Sequence, residues 1–392
     1  MLVLQLLMFC LAVMGHFALC VVAHNQVHST TLPAWAMRWL NYPLYLANLA
    51  AIPAMMAWRF SWGDLSTGAA LTTGVFLPLA YLVIGWVGAV LMYPLWIWRN
   101  NFSDYARVTI ANHTTVRRID REVTGSLTGD WHTALLARVP GNQIFKLHIH
   151  EKEVHIPRLP KALEGLSIAH LSDLHMLGNL RREFFESLVE HTNSLQADMI
   201  AVTGDIVEKD RCVDWLAGTL GQLSAPCGVY FVLGNHDKRV SDAGRSRDTL
   251  TACGLIDLGG TWQQIEIRGE SVLFAGNELP WFLPGPDMST APPRGEDGRP
   301  LRILLSHSPD QIEWAKAHDF DLMLAGHTHG GQIRLPLVGP VVSPSVFGVK
   351  YASGTFFEPP TLIHVSRGCS GEQAIRLNCP PELAKVVLRG EE

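Results

Sequence analysis

The stretch LSIAHLSDLHMLG (166–178) decides the fold of the larger part of this 392-residue chain. Its first half is an apolar run that favours a buried β-strand, and Asp173 and His175 follow directly after that run. Because alternate residues of an extended backbone project from the same face, these two side chains can reach one common ligand. A buried strand that ends in such side chains is typical of an α/β sheet, whose carboxyl ends carry the functional groups.

The sequence after this stretch repeats the arrangement. Apolar runs such as MIAVTG (199–204) and GVYFVLG (228–234) alternate with amphipathic stretches around 183–194 and 214–223. This alternation predicts a central, largely parallel sheet with helices packed on it. Between 263 and 389 the apolar runs lie closer together, which indicates added strands, some of them antiparallel.

Polar residues of metal-ligand type follow five of the apolar runs. The blocks are HLSDLHMLG (170–178), VTGDIVEKD (202–210), VLGNHDK (232–238), LLSHSPD (304–310) and AGHTHGGQIRLP (325–336). Their candidate metal ligands are Asp173, His175, Asp205, Asn235, His307, His327 and His329. Imidazole and oxygen donors without a thiolate suit manganese, iron or zinc. Seven ligands, with the Asp205 carboxylate shared, predict two divalent metal ions. One D-x-H pair alone would more often be structural, but five blocks together favour a metal site.

These blocks resemble the D-x-H, G-D-x-x-[DE], G-N-H-D, H and G-H-x-H signature of the calcineurin-like metallophosphoesterase family, from Leu166 to the C-terminus. The stretch SRGCSGEQAIRLNCPPEL (366–383) is similar to the end of a membrane-linked bacterial branch of phosphodiesterases and UDP-2,3-diacylglucosamine hydrolases. The resemblance implies an α/β fold, a sandwich of two mixed β-sheets flanked by helices (α/β/β/α). Two departures are visible: Glu208 stands where many relatives have Asp, and Cys369 interrupts a stretch that is often glycine-rich. Neither is expected to touch a metal ligand.

The resemblance also implies a role for each residue. One ion would be bound by Asp173, His175, Asp205 and His329, and the other by Asp205, Asn235, His307 and His327. His236 would stay free of metal, stand beside the phosphate and protonate the leaving oxygen as the catalytic residue, with Asp237 orienting its ring. A hydroxide that bridges the two cations would attack phosphorus, because coordination lowers the pKa of water.

The N-terminal quarter of the chain has a different composition. With 48% hydrophobic and 17% charged residues the chain cannot be disordered, and residues 1–98 hold only three charged side chains. Met1–Ala23 and Leu65–Trp98 are uncharged, and each exceeds the ~20 residues that cross a bilayer. The sequence therefore predicts two membrane spans. Trp39–Trp58 is a third candidate, which Asn and Pro residues make less apolar.

Two alternatives concern the N-terminus and the orientation of the anchor. Met1–Ala23 could be a cleaved signal peptide, but no Lys or Arg precedes its apolar run, so we favour an anchor. Basic residues such as Arg99 and Arg107 follow the last span and favour a multi-pass protein of the cell membrane with a cytoplasmic catalytic part. The predicted organisation is a transmembrane anchor of two or three helices (1–98), a connector with an edge strand (99–160) and a metallophosphoesterase domain (161–392).

Several other segments carry features outside the proposed metal site. KLHIHEKEVHIP (146–157) predicts a strand whose histidines His148 and His150 lie on a solvated face rather than in a metal site. Arg334 is either a phosphate contact or a solvated charge. The Pro- and Gly-rich loop 278–299 is either a lid or disordered, and its Trp281 and Phe282 face either lipid or a small local core. The seven cysteines contain no C-x-x-C pair and indicate neither a disulfide framework nor a zinc knuckle.

The resemblance and the composition together predict a membrane-anchored, dinuclear-metal-dependent phosphoesterase. It would hydrolyse phosphodiester or pyrophosphate bonds, with a lipid-linked substrate such as a UDP-acyl sugar as the leading candidate. Alternatives are a general phosphodiesterase acting on soluble nucleotides or glycerophosphodiesters, and a catalytically silent metal-binding scaffold. The net charge of −5 argues against a nucleic-acid partner, because binding to nucleic acid depends on neutralising phosphates with basic residues.

Overall fold

The computed structural model describes residues 2–28, 73–102, 108–295 and 298–390, together with scattered positions between 36 and 50. The helices are α1 (Leu2–His28), α2 (Thr73–Phe102), α3 (Ile119–Glu122), α4 (Trp131–Ala137), α5 (Arg182–Ser194), α6 (Asp210–Val213), α7 (Ala243–Ala252) and α8 (Ile312–Ala317). The strands are β1 (Thr109–Arg118), β2 (Lys146–His155), β3 (Ser167–Leu171), β4 (Met199–Thr203), β5 (Val229–Val232), β6 (Ile256–Asp257), β7 (Trp262–Ile267), β8 (Glu270–Asn277), β9 (Leu301–Ser306), β10 (Leu322–Ala325), β11 (Arg334–Leu335), β12 (Gly339–Pro340), β13 (Gly354–Glu358), β14 (Thr361–Val365) and β15 (Glu382–Arg389).

The chain divides into two compact units. The helical unit consists of residues 1–103 and 335–350, and the sheet unit consists of residues 104–334 and 351–392. Because the segment 335–350 returns to the helical unit, the sheet unit is discontinuous in sequence.

The sheet unit contains two mixed β-sheets. One has seven strands in the order β1-β2-β15-β3-β4-β5-β6, and the other has six strands in the order β13-β14-β10-β9-β8-β7. Alternate residues of both sheets form one buried core, in which the ring of Tyr230 on β5 stacks on that of Phe274 on β8. The opposite face of the seven-stranded sheet packs against α5 through Phe184 and Phe185. The predicted sandwich of two mixed sheets flanked by helices is confirmed.

The segment expected to hold a connector and an edge strand contributes two paired strands to the larger sheet. β1 pairs antiparallel with β2, so β1 forms the edge and β2 lies between β1 and β15. The expectation that His150 of β2 is solvated is wrong. This side chain is 9% exposed and lies 2.8 Å from Thr114 Oγ1, and burial lowers its pKa to about 4.

Most strands next to the centre of each sheet run parallel. β3, β4 and β5 are parallel neighbours, and so are β8, β9, β10 and β14. The carboxyl ends of parallel strands meet at one edge of a sheet. In the larger sheet this edge carries three of the ligand-type blocks, after β3, β4 and β5, and in the smaller sheet it carries the other two, after β9 and β10.

In the helical unit, α1 and α2 cross through small residues. A Cβ atom added to Gly15 would collide with the backbone of Gly85, and Ala12 and Ala89 are buried beside this crossing. The outward residues of α2 are large and apolar, and Val87 is 52% exposed. Close contact through small residues with apolar side chains outside is typical of helices packed in lipid.

The described part of α1 contains one segment, Phe9–Val27, that is long and apolar enough to cross a membrane. In α2 the apolar stretch Val83–Leu95 is shorter than the length needed to cross a membrane. The third predicted span, Trp39–Trp58, lies for the most part outside the described residues. Of the long loop 278–299, all residues except 296 and 297 are described.

Candidate metal centre

The loops that follow β3, β4, β5, β9 and β10 bring the predicted site residues together. Five of the seven predicted metal ligands have a left-handed backbone; they are Asp173, His175, Asp205, His327 and His329, with φ between 48° and 71°. Residues other than glycine rarely adopt this conformation, and it persists only where surrounding contacts impose it. The backbone at these positions is therefore dictated by the site rather than by local preference.

One group of side chains consists of Asp173, His175, Asp205 and His329, whose ligand atoms all lie within 4.8 Å of one another. Nε2 of His175 lies 3.0 Å from Nε2 of His329 and 3.7 Å from Oδ2 of Asp205. Nε2 of His329 lies 3.5 Å from Oδ1 of Asp173. This group matches the set of residues predicted to hold one ion.

A second group consists of Asp205, His307 and His327, again within 4.8 Å of one another. Nε2 of His307 lies 3.1 Å from Oδ2 of Asp205 and 3.1 Å from Nδ1 of His327. Asn235, the remaining predicted ligand, has a buried side-chain oxygen without a hydrogen-bond partner among the described residues. Asp205 belongs to both groups, as expected of a shared carboxylate.

The donor atoms of the two groups fit a pair of divalent cations. Oδ2 of Asp205 is buried and makes no well-oriented hydrogen bond within the described part of the chain, and the imidazole nitrogens are paired mainly with each other. Buried polar atoms normally have partners, and unmet ones need an explanation such as an ion. Nitrogen and carboxylate donors without sulfur match the preferences of zinc, manganese and iron.

The electrostatics of the site also favour bound cations. Burial works against protonation of His307, but the nearby Asp205 and Asp173 carboxylates raise its pKa to about 9. Burial raises the pKa of Asp173, whereas the charge of His307 helps to hold the pKa of Asp205 well below its usual value despite burial. A bound cation would take the place of the proton on His307, because metal ligands must be deprotonated.

His236 lies at the rim of the site with 13% of its side chain exposed. Nε2 of His236 is 4.0 Å from Oδ2 of Asp205, and Nδ1 is 3.0 Å from Oε1 of Glu208. Burial lowers the pKa of His236, but the Asp205 charge and the contact with Glu208 raise it overall. The ring is thus held in a form that can carry a proton.

Two expectations about the neighbours of His236 are wrong. Asp237 does not orient the ring, because its carboxylate points inward and accepts hydrogen bonds from the backbone N–H groups of Ile206, Val207 and Gly234. Glu208 instead lies beside the His236 ring. It was not expected to touch a metal ligand, but its Oε1 is only 2.5 Å from Nδ1 of His175. The longer Glu side chain reaches both histidines, which the sequence alone did not reveal.

Two residues near the site were missed. Arg239 donates to Oε2 of Glu208 at 2.6 Å and lies 3.4 Å from Nε2 of His236. Arg376 is fully buried and donates to the backbone oxygen of His329 at 3.0 Å. Arg376 lies in the C-terminal stretch that carries part of the resemblance, which was an available signal. Nothing in the sequence distinguished Arg239 from an ordinary surface charge.

The long loop contributes an aromatic wall. The Trp281 ring lies 5.5 Å from that of His307 and 5.0 Å from that of His327, so Trp281 covers the second group of site residues. Phe282 instead packs against the core. Arg334 is half-buried, and its guanidinium donates to the backbone oxygen of Gly330 and to Ser353.

Comparisons with known proteins agree with this geometry. Residues 166–331 match the sequence model described as calcineurin-like phosphoesterase. Over 232 residues the chain is 30% identical to phosphodiesterase YaeI of Escherichia coli, covering 56% of this chain and 81% of that protein. It is 28% identical over 235 residues to the uncharacterized metallophosphoesterase YkuE of Bacillus subtilis, covering 59% of this chain and 82% of that protein. It is 29% identical over 254 residues to a transmembrane protein with metallophosphoesterase domain of Bos taurus, covering 60% of this chain and 56% of that protein. The chain therefore belongs to the calcineurin-like phosphoesterase family and is a metal-dependent phosphohydrolase.

Proposed function

We propose that this protein is a membrane-anchored phosphodiesterase with two divalent cations in its site, acting on a lipid-linked phosphodiester or pyrophosphate. The observation that carries the proposal is the position of Asp205, whose carboxylate is common to both groups of side chains. One cation would be held by Asp173, His175, Asp205 and His329. The other would be held by Asp205, Asn235, His307 and His327.

The cations, when bound, stabilise negative charge on the phosphate and lower the pKa of water, so that a hydroxide nucleophile is available near neutral pH. The protein supplies the proton for the leaving group. His236 donates it from Nε2, which faces the site, while the Glu208 carboxylate, 3.0 Å from Nδ1, holds the ring in its orientation by ion pairing. Arg239, beside Nε2 of His236, offers a guanidinium to a phosphate oxygen.

Anchoring in the membrane is supported by the helical unit. Phe9–Val27 has the length and hydropathy of a span, and α1 and α2 pack through small residues with apolar side chains outside. The bovine relative is named a transmembrane protein. We propose residues 1–98 as a multi-pass anchor, 99–160 as the connector with its strands and 161–392 as the catalytic domain, which faces the cytoplasm.

The proposed substrate follows from this anchoring. A site tethered to a bilayer meets lipid-linked phosphates at high local concentration, and Trp281 beside His307 and His327 adds an apolar surface for a substrate. A UDP-linked acyl sugar is one such substrate. The name of the E. coli relative, phosphodiesterase, supports diester chemistry and leaves soluble diesters as the second candidate.

The test offers full-length protein in detergent a UDP-linked diacyl sugar, a glycerophosphodiester and bis(4-nitrophenyl) phosphate, each with manganese and with a chelator. We expect manganese-dependent hydrolysis and a higher kcat/KM for the lipid-linked compound. Asp205→Asn should be inactive, whereas Asp214→Asn, a change at a 70% exposed carboxylate, should match the native protein. Hydrolysis of the soluble diesters alone would remove the lipid-linked substrate. Equal activity of the Asp205 variant would contradict the metal site.

A further inference from the structure

The segment 335–350, LPLVGPVVSPSVFGVK, is an unusually apolar surface segment. Lys350 is its only charged residue. Leu337 is 87% exposed and Val346 is 49% exposed, and Leu335 and Val342 are exposed as well. Single exposed apolar residues are normal, but several in one short uncharged segment indicate an interaction surface.

Both ends of this segment are fixed in the sheet unit beside the proposed metal ligands. At one end, Arg334 donates to the backbone oxygen of Gly330 at 2.7 Å and to Oγ of Ser353 at 2.5 Å. At the other end, the hydroxyl of Thr328 donates to the backbone oxygen of Ala352 at 2.7 Å. Because Thr328 lies between His327 and His329, the segment leaves and re-enters the sheet unit at the loop that carries both histidines.

Within the helical unit, the same segment is bonded to α1. Asn25, which is 4% exposed, donates from Nδ2 to the backbone oxygen of Val341 at 3.1 Å. Its Oδ1 accepts from the backbone N–H of Ser343 at 2.9 Å. Asn25 lies near the C-terminal end of the candidate span Phe9–Val27, which is where a span reaches the bilayer surface. The segment is thereby bonded to the end of α1 that the proposed anchor places at the bilayer surface.

We propose that residues 335–350 form a membrane-binding loop that inserts Leu337 and its exposed apolar neighbours into the bilayer that α1 crosses. This proposal rests on the membrane anchoring proposed above. Lipid fits the segment because it is apolar, contains no acidic residue and is continuous with the end of the candidate span, and Lys350 can face anionic headgroups. Insertion of the loop would hold the protein on the bilayer that carries a lipid-linked phosphate.

The first test is lipid photo-crosslinking of the full chain in vesicles of phosphatidylethanolamine and phosphatidylglycerol. The photoreactive residue p-benzoylphenylalanine is placed singly at Leu337, at Phe17 in α1, or at Leu135, which is 58% exposed on α4. Lipid adducts are measured by mass spectrometry. We expect Phe17 and Leu337 to give at least about fivefold more adduct than Leu135. Only a probe that is inserted in the bilayer stays in contact with lipid, whereas the probe at Leu135 is surrounded by water.

The outcomes separate this proposal from the anchoring itself. Adducts at Phe17 without an excess at Leu337 would overturn the membrane-binding loop and leave the anchor intact. Absence of adducts at Phe17 would overturn the anchor. Cross-linking of Leu337 to a second copy of the chain in place of lipid, or equal labelling at all three positions, would also overturn the loop.

The second test measures activity. Leu337→Asp should raise the KM for a UDP-linked diacyl sugar in vesicles by about tenfold, because a carboxylate opposes insertion of the loop. It should leave turnover of soluble bis(4-nitrophenyl) phosphate unchanged, and Leu135→Asp should change neither activity. An equal loss on both substrates would overturn the proposal, because the effect of Leu337 would then not depend on the bilayer.

Discussion

Replacing Glu208 with glutamine removes one negative charge from beneath the proposed proton donor and changes little else in size. Oε1 of Glu208 lies 3.0 Å from Nδ1 of His236, and the side chain is 3% exposed. A close interaction with a charged group contributes about 1.5–3 kcal/mol, which is about 10- to 100-fold in rate at 1.36 kcal/mol per factor of ten. We therefore expect Glu208→Gln to lower the pKa of His236 and to weaken it as a proton carrier above neutral pH.

The assay compares two leaving groups. For a phosphodiester with an alkyl leaving group, kcat/KM at pH 8 should fall about 10- to 100-fold, because the alkoxide must be protonated as it departs. For bis(4-nitrophenyl) phosphate the loss should stay below about threefold, since nitrophenolate is stable without a proton. In the pH profile of the alkyl substrate, the limb that reports the acid should move to lower pH.

The second contact of Glu208, at 2.5 Å from His175 Nδ1, makes metal content the essential control. Bound metal is measured in each preparation, and rates are compared at saturating manganese. Glu372→Gln is the matched variant, because Glu372 also pairs with Arg239 but is 48% exposed. If Glu208→Gln lost both substrates equally while retaining its metal, the assignment of Glu208 and His236 to leaving-group protonation would be refuted.

Three further predictions concern the metal site and the buried polar groups. Asp205→Asn should lower bound metal, measured by mass spectrometry, and should cost more activity than the roughly 10- to 100-fold typical of groups that only orient a ligand. Glu382→Gln leaves Lys152, 2.6 Å away and buried, without its carboxylate, and should cost about 3–5 kcal/mol in thermal unfolding, with recovery of at least half when Lys152→Met is added. Burial lowers the pKa of His170 to about 3, so below pH 6.5 only the unfolded chain takes up this proton. Stability should fall by about 2 kcal/mol from pH 6.5 to 5, and by less in His170→Gln, as urea midpoints at each pH would show.

The ligand-type residues could be predicted from the sequence because each follows an apolar run that forms a parallel strand, and in both sheets these strands end on the side of the site. The position of Asp173 in the site could be predicted from two local features, the apolar run before it and the alternation of side chains along a strand. The burial of His150 could not be predicted in this way. It depends on β1, whose sequence TIANHTTVRR is almost entirely exposed and shows no apolar alternation. Only pairing with β2, a long-range event, defines this strand.

The role of Glu208 was missed for a different reason. The resemblance locates position 208 in the G-D-x-x-[DE] block but gives no side-chain direction, and Asp237 lies beside His236 in sequence. In the structure, Asp237 is used to hold the backbone of the loop after β4, so its carboxylate points away from the ring. Adjacency in sequence is therefore a poor guide where consecutive residues on a tight turn face opposite sides.

The left-handed backbone of the site residues requires contacts that outweigh its cost. A left-handed conformation costs roughly 1–2 kcal/mol for a residue other than glycine. Here the ligand loops hold one another: the N–H of His327 donates to the Asp173 carboxylate at 3.0 Å, and the N–H of His175 donates to the backbone oxygen of Asp205 at 2.9 Å. The N–H of Asp173 likewise donates to the backbone oxygen of Gly204 at 3.1 Å. Because loops from both sheets are joined in this way, the sandwich itself fixes the spacing of the donor atoms, and binding of cations need not organise the site from a disordered state.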